Sequence, residues 1–250
     1  MSLTFAEGTP CWVDLATADP GRARDFYGAL FGWTFADQGE DMGNYLMCSK
    51  DGATVAGMGP LQVPEMPSAW TIYLSVNDVA AAVEKVTAAG GQVVAPPMEI
   101  PGSGHMAIVT DPTGGVVGLW QKTSFAGMEA MGSHGSPCWF EENSWEAERA
   151  RDFFVGLFGL EVQKMEGAEY WTLHEGGRPR YGMLQMTKDW EGMPPHWMPY
   201  FAVESADEAA TAVAEHGGKA MHGPFDTPFG RIVVCTDPTG AAFSLVQLTE

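Results

Sequence analysis

Residues 8–32 read GTPCWVDLATADPGRARDFYGALFG, and residues 135–159 repeat the pattern as GSPCWFEENSWEAERARDFFVGLFG. The two stretches are identical at twelve of twenty-five positions without a gap, a density that chance does not produce. A second repeat follows, because DPTGGVVGLWQ at 111–121 returns as DPTGAAFSLVQ at 237–247. The offsets are 127 and 126 residues, so nearly the whole chain is one module used twice.

The repeat divides the 250-residue chain into two domains. Residues 8–123 are predicted to form the first module and residues 135–249 the second. Residues 124–134 are rich in Gly, Ser and Met, show no periodicity and are predicted to be the linker. Each module is long enough to bury a core of its own.

The order of secondary structure follows from periodicity. Residues 11–17 alternate as a strand does, and Asp19 is the N-cap of a helix whose first position is a proline. Apolar residues then recur at helical spacing until Gly32 ends the helix. Three short strands follow, and the same order begins again with the strand at 70–76. Each module therefore holds two β-α-β-β-β units, and the four units predict an α+β fold.

Charge and cysteine usage exclude several classes of function. The chain has 13 Lys and Arg against 32 Asp and Glu, a formal net charge of −19. Such an acidic surface repels phosphate backbones and anionic lipid, so neither a nucleic acid nor a membrane is expected as a partner. The N-terminal residues lack the pattern of a signal peptide, and the four cysteines have no CxxC spacing, so a cytoplasmic location is expected.

A strand followed by DPGRARDFYGALFGW at 19–33, with a later DPTG turn ahead of a final strand, resembles the vicinal oxygen chelate superfamily. That superfamily includes glyoxalase I, bleomycin-resistance proteins and extradiol ring-cleaving dioxygenases. The resemblance covers nearly the whole chain and implies paired β-α-β-β-β units whose curled, cup-shaped mixed sheets enclose a ligand site. It does not select an activity, because members include metal-dependent enzymes and metal-free binders of drugs.

The resemblance also implies where a metal ion would be held. Metal-dependent members place a His in the first strand, a second His in the matching strand of the later unit and a Glu on the final strand. The corresponding positions are Trp12, Thr71 and Gly118 in the first module and Trp139, Met198 and Ser244 in the second. None supplies the imidazole or carboxylate that a divalent ion prefers. Neither a metal nor another cofactor is therefore expected.

Strand alternation predicts which residues line the two cups. The residues predicted to contact a ligand in the first cup are Trp12, Thr71, Tyr73, Gly118 and Trp120. Those predicted in the second cup are Trp139, Glu141, Tyr200, Arg231 and Ser244. Such a set suits a flat, partly polar molecule that stacks on aromatic rings. The tryptophans of the first strands have a plainer alternative, which is a place in the core.

A two-residue turn at 112–113 would pair His105 with Trp120 and bring both onto the face of Gly118. On that face Gly118 would leave room for a bound molecule. Together with Asp14, His105 would supply the acid and base needed for proton transfer next to a carbonyl. The alternatives are a packed histidine, and an aspartate that is solvated or paired for structural reasons.

These features predict a protein that binds a small aromatic or polar organic molecule without a metal, as bleomycin-resistance members do. One alternative is a metal-dependent lyase, isomerase or ring-cleaving dioxygenase whose ligands lie elsewhere. Another is a metal-free acid–base enzyme that uses Asp14 and His105 as catalytic residues. In each case the expected partner is a small-molecule ligand or substrate. A monomer or a homodimer is expected, because each chain already contains both copies of the module.

Overall fold

In the computed structural model, which describes residues 3–249, both modules have the same order of elements. The first module contains β1 (Pro10–Thr17), α1 (Pro20–Phe31), β2 (Thr34–Asp37), β3 (Leu46–Lys50), β4 (Ala53–Pro60), β5 (Ala69–Ser75), α2 (Val79–Ala88), β6 (Gln92–Ile100), β7 (Gly104–Thr110) and β8 (Val116–Lys122). The second contains β9 (Pro137–Ser144), α3 (Ala147–Phe158), β10 (Glu161–Lys164), β11 (Tyr170–Glu175), β12 (Arg178–Gln185), β13 (His196–Ala202), α4 (Ala206–Glu215), β14 (Lys219–Thr227), β15 (Gly230–Thr236) and β16 (Ala242–Leu248).

The strands form two eight-stranded mixed sheets, neither of which is closed. The first has the order β2-β3-β4-β1-β5-β8-β7-β6, and the second has the matching order β10-β11-β12-β9-β13-β16-β15-β14. Each sheet contains two of the four β-α-β-β-β units. The predicted α+β fold of two tandem modules is therefore confirmed. Within residues 3–249, no helix has the length and apolar character needed to cross a membrane.

The chain also divides into two compact units, and these do not coincide with the modules. Unit 1 comprises residues 3–12, 71–127 and 139–198, and unit 2 comprises residues 13–70, 128–138 and 199–249. Each compact unit therefore combines one β-α-β-β-β unit from each module. The module boundaries at 8–123 and 135–249, with a linker at 124–134, describe the repeat in the sequence and stay a prediction.

Each compact unit contains a pair of helices in contact. In unit 1, α2 packs on β6, β7 and β8, α3 packs on β11 and β12, and the two helices touch each other. In unit 2, α1 packs on β4, α4 packs on β14, β15 and β16, and these two helices also touch. The core of unit 2 is strongly aromatic, with contacts among Phe26, Tyr27, Phe31, Trp33, Trp70, Phe201 and Phe243.

The helix α1 begins and ends where the sequence predicts. Asp19 Oδ1 accepts a hydrogen bond from the backbone N–H of Arg22 at 3.0 Å, which satisfies a donor that the first helical turn leaves unpaired. Gly32 ends the helix at φ +69°, a left-handed conformation that glycine adopts without steric cost. Gly159 ends α3 in the same way at φ +66°.

The hairpin between β7 and β8 differs from the predicted one. Asp111 Oδ1 accepts from the N–H groups of Thr113, Gly114 and Gly115, which builds a five-residue loop in place of a two-residue turn. His105 consequently pairs with Gln121 rather than with Trp120.

A shift of one residue moves a strand's side chains to the opposite face of the sheet. His105 shares its face with the fully buried Ala107 and Val109, and its neighbour Gln121 accepts a hydrogen bond from the first residue of α2. This is the face that the helix covers. The prediction that His105 lies on the face of Gly118 and Trp120 is therefore wrong.

The same shift recurs in the second module. Arg231 on β15 pairs with Gln247, whose side chain accepts from the backbone N–H at the start of α4. The guanidinium of Arg231 forms salt bridges of 2.8 Å with both Asp207 and Asp226. Arg231 therefore lies on the helix-covered face with carboxylate partners. The predicted face is wrong, whereas contact between Arg231 and a ligand stays a prediction.

Candidate functional site

Gly118 does not leave the open space that the sequence suggested. Tyr73 on β5 pairs with Gly118 on β8 in a parallel ladder. A Cβ at position 118 would lie 2.2 Å from the Tyr73 ring, so the ring rests directly on the glycine. Tyr73 is buried, and Thr71 two residues earlier is half-buried. The space predicted for a ligand is therefore filled by Tyr73, and this expectation is wrong.

A ring from the predicted linker covers two more of the predicted ligand contacts. Phe125 packs edge-to-face on Trp12, with ring centroids 4.8 Å apart, and on Trp120 at 6.1 Å. The indole N–H of Trp120 donates to the backbone oxygen of Phe125 at 2.9 Å. Trp12 and Trp120 keep only 5% and 6% of their surface exposed. In unit 1, these two indoles already have an aromatic partner from the chain itself.

Asp14 has a hydrogen-bond partner inside unit 2. The hydroxyl of Tyr45 donates to Asp14 Oδ2 at 3.1 Å. The tyrosine lies across Gly57 and Gly59, because a Cβ at either position would meet its ring. The bond supplies the partner that a half-buried aspartate in a strand requires. His105 belongs to the other compact unit, and its ring is on a helix-covered face.

The second module contains a matching group of side chains entirely within unit 1. The indole N–H of Trp139 donates to the hydroxyl of Tyr170 at 2.9 Å. Tyr170 lies across Gly182 and is hydrogen-bonded to Glu141, which is 6% exposed. Burial, followed by the negative charge of Glu141, raises the pKa of Tyr170, so its hydroxyl keeps its proton. Trp139 is only half-buried, in contrast to Trp12.

Two further polar residues accompany this group: strand alternation places Asn143 on the face of Trp139 and Glu141, whereas His196 was not predicted there. Asn143 follows Glu141 by two positions on β9 and is 1% exposed. Its Nδ2 lies 3.4 Å from Nε2 of His196, the first residue of β13. Nδ1 of the same histidine lies 2.9 Å from the backbone oxygen of Pro194. Comparison of the two repeats distinguishes this pair, because the positions 127 residues earlier are Ala16 and Ala69.

The hydrogen bonds of His196 assign the direction of the Asn143 amide. A carbonyl oxygen can only accept, so the bond to Pro194 requires a proton on Nδ1 of His196. In the neutral ring Nε2 then accepts a hydrogen bond from the N–H of Asn143 Nδ2. Oδ1 of Asn143 is buried and has no hydrogen-bond partner. The face of β9 that contains Trp139 and Glu141 therefore also has a hydrogen-bond acceptor without a donor, which is Oδ1 of Asn143.

Burial lowers the pKa of His196 below its ordinary value of 6.5, and the smaller effect of the bond to Pro194 is in the opposite direction. As the pH drops below 6.5, His196 is protonated in the unfolded chain but stays neutral in the folded chain. The free energy of unfolding therefore falls. We expect His196→Ala to lose less stability than the wild type between pH 7 and pH 5. Urea unfolding across this range measures the difference. Equal pH slopes in the two proteins would contradict the assignment.

Unit 2 contains the remaining predicted contacts of the second module. Tyr200 pairs with Ser244 in the parallel ladder of β13 and β16, the same relation that joins Tyr73 to Gly118. Ser244 is fully buried, and its hydroxyl has no hydrogen-bond partner. Tyr200 is half-buried rather than buried. The serine thus replaces the glycine on which the tyrosine rests in the first module.

A family model described as the Glyoxalase/Bleomycin resistance protein/Dioxygenase superfamily matches residues 11–118 and 145–245. The chain belongs to this superfamily. Among curated members, the "Putative glyoxylase CFP32" of Mycobacterium bovis is 38% identical over 252 residues, covering 97% of this chain and 96% of its own length. The "Anthracycline biosynthesis protein DnrV" of Streptomyces peucetius is 35% identical, with coverage of 98% and 95%.

Solved members of the superfamily share the fold at low identity. The Mn(II)-bound glyoxalase from Novosphingobium aromaticivorans has a TM-score of 0.69 at 17% identity, covering 98% of this chain and 83% of that one. The 2,3-dioxygenase LapB from Pseudomonas sp. KL28 has a TM-score of 0.66 at 12% identity, with coverage of 99% and 94%. These similarities establish the two-module architecture.

The residues of this chain do not fit the metal centre that the superfamily implies. At the expected positions of unit 1, Gly118 is covered by the Tyr73 ring and the Trp12 indole packs on Phe125. Met198 and Ser244, at two positions of the second module, bring neither imidazole nor carboxylate. Across residues 3–249, no three His, Cys, Asp or Glu side chains converge as a ligand set. The side chains at the expected ligand positions therefore do not fit a divalent ion of the kind that the superfamily binds.

Proposed function

We propose that this protein binds a small organic molecule through one site in its second module, without a divalent metal. The site, called here the Trp139 site, consists of Trp139, Glu141, Asn143, Tyr170 and His196. The observation that carries the proposal is the buried Oδ1 of Asn143, which has no hydrogen-bond partner and lies on the same strand face as the half-buried Trp139 indole. A buried polar atom without a partner is costly, so its retention favours a function that supplies one.

The chemistry of the Trp139 site suits a partly aromatic ligand. The Trp139 ring offers a flat apolar surface, and its N–H is held by Tyr170 so that the ring has a fixed orientation. Glu141 and Asn143 add polar atoms at successive positions of the same face. A few fixed polar groups beside an aromatic wall are typical of sites for small molecules.

The comparison of the two modules favours a single site. In the first module, Tyr73 and Phe125 cover the residues that were predicted to contact a ligand. The polar pair Asn143 and His196 has two alanines as its counterpart there. The first module then serves as a structural copy of the second. The names of the curated relatives, a glyoxylase and anthracycline biosynthesis proteins, are compatible with a small organic ligand.

The proposal is tested with 2-naphthol as the probe, titrated into the whole protein while tryptophan fluorescence is recorded. We expect binding that EDTA does not change and that Trp139→Ala weakens about fivefold, because a stacked aromatic contact of this kind is worth roughly 1 kcal/mol. Val94→Ala, on an exposed position of β6, is the control and should bind as the wild type does.

Metal analysis of protein purified without chelator separates the proposal from the metal-dependent alternative. We expect far less than one Mn, Fe, Ni or Zn per chain. A near-stoichiometric ion whose removal by EDTA abolishes binding of 2-naphthol would overturn the proposal and favour a metal-dependent lyase, isomerase or dioxygenase.

A further inference from the structure

A tryptophan from an exposed segment lies beside His196 in unit 1. Trp190 ends a short 3-10 turn (Lys188–Trp190), and its ring lies 5.9 Å from the imidazole at an interplanar angle of 35°. The residues on both sides of this turn, from 187 to 194, are mostly exposed. The indole N–H of Trp145 holds the end of the segment through the backbone oxygen of Met193 at 2.9 Å.

The three side chains of this cluster change together between the modules. Without gaps, MPPHW at 193–197 aligns with MPSAW at 66–70, so Trp190 corresponds to Val63 and His196 to Ala69. Asn143 corresponds to Ala16 in the first repeat. The fold needs none of the three polar or aromatic groups, because the first module adopts the same order of elements without them.

We propose that the Trp139 site recognises a hydroxylated aromatic molecule, whose hydroxyl donates to Oδ1 of Asn143 and whose ring replaces the Trp190 indole beside His196. This inference rests on the proposed function and names its ligand class. Oδ1 of Asn143 can accept but cannot donate, so it selects a ligand with an O–H or N–H group. The atom is buried in the free protein, and His196, which is hydrogen-bonded to the same amide, contacts the Trp190 indole, so a ligand that reaches Oδ1 takes the place of this indole.

The selectivity has a physical basis in the unpaired acceptor. A ligand that donates to Oδ1 gives it a partner, whereas a ligand of equal shape without a donor leaves it buried and unpaired. His196 fixes this preference, because its Nε2 accepts from Nδ2 of Asn143 and so keeps Oδ1 turned toward the ligand. The neutral histidine is a positioning residue here.

The test compares 2-naphthol with 2-methoxynaphthalene, which has the same ring system but no donor. We expect the wild type to prefer 2-naphthol about tenfold or more by isothermal titration calorimetry. Asn143→Ala recreates the residue of the first module and should bind both probes with similar, weaker affinity. Trp190→Ala should bind 2-naphthol at least as tightly as the wild type, and Val63→Ala, the matching change in the first module, should have no effect. Circular dichroism confirms that each variant is folded.

The possible results separate this inference from the proposed function. Binding of both probes with no preference, or a preference that survives Asn143→Ala, would overturn the hydroxyl recognition and leave a metal-free binding site. A tenfold loss of affinity in Trp190→Ala would overturn the displacement of the indole. Binding of neither probe to the wild type would overturn both the ligand class and the proposed function.

Discussion

Glu142→Leu should lower the free energy of unfolding by about 1–3 kcal/mol at pH 5, and adding Phe154→Tyr should restore most of the loss. Glu142 is fully buried on β9 of unit 1, and its side chain is hydrogen-bonded to Asp111. Two carboxyl groups can share such a bond only if one of them is protonated. Burial, followed by Asp111, raises the pKa of Glu142 well above its usual range, so Glu142 is the proton donor.

In unit 2, a different side chain donates the hydrogen bond to the equivalent aspartate. Leu15 stands where Glu142 does, and Tyr27 stands where Phe154 does. The hydroxyl of Tyr27 accepts from the Trp70 indole at 3.0 Å and donates to Asp237 at 3.2 Å. The aspartate of the DPTG loop therefore has a hydrogen-bond donor in both units. The donor to Asp111 is the carboxyl group of Glu142, and the donor to Asp237 is the phenol of Tyr27.

The double variant gives unit 1 the residues of unit 2, with Leu at position 142 and Tyr at position 154. Leucine removes the donor and leaves Oδ2 of Asp111 buried without a partner, whereas tyrosine at 154 supplies a new donor. The new hydroxyl also gives a partner to Nε1 of Trp197, which is buried and unpaired in the wild type. Urea unfolding of the wild type, Glu142→Leu, Phe154→Tyr and the double variant measures the coupling between the two positions.

Glu142→Gln is the conservative control, because an amide N–H donates to Asp111 without a titrating proton. The folded wild type keeps a proton that the unfolded chain loses above about pH 4.5, so the stability of the wild type falls as the pH rises from there. In Glu142→Gln this slope should disappear while the stability at pH 5 is kept. A Leu variant as stable as the wild type, or an unchanged slope in the Gln variant, would contradict the shared proton.

Gly118→Ala should also destabilise the protein by about 1–3 kcal/mol, because the added methyl group enters the space that the Tyr73 ring occupies. The backbone at Gly118 does not have a positive φ, so an alanine is not strained by its conformation. The three nearest atoms that the added methyl group would meet all belong to the Tyr73 ring, so the expected loss is assigned to this ring. Thermal or urea unfolding measures it, with the fold checked by circular dichroism.

The control for Gly118→Ala is the same change in a Tyr73→Ala background. Without the ring the methyl group meets no close neighbour from position 73, and the cost should shrink to less than about 0.5 kcal/mol. An equal cost in both backgrounds would show that the strain arises elsewhere. Tyr73→Ala alone is also expected to destabilise the protein, since the ring is almost fully buried.

The sequence predicted the elements of the fold well, because their signals are local. Asp19 and Gly32 mark the ends of α1 through capping chemistry, and the repeat predicts the same glycine end for α3. The faces of the last hairpins could not be predicted in this way. Asp111 gathers three backbone N–H groups into a longer loop, and this one side chain shifts the pairing by one residue.

The candidate site was predicted in part. Trp139 and Glu141 were identified by strand alternation, and the structure joins both to Tyr170. Phe125 gave no periodic signal, because its place on two indoles depends on how a segment without regular structure folds back. Asn143 and His196 are 53 residues apart in the chain, and only their shared difference from the first module marks them as a pair.

The composition of unit 2 has a consequence for synthesis on the ribosome. Tyr27 near the start of the chain bonds to Asp237 near its end, across 210 residues. The aromatic face of α1 therefore stays uncovered during synthesis until strands β14 to β16 have left the ribosomal exit tunnel. Unit 1, whose segments end at residue 198, can be completed earlier. Truncation at residue 200 should thus expose α1, which is synthesised long before the strands that complete unit 2.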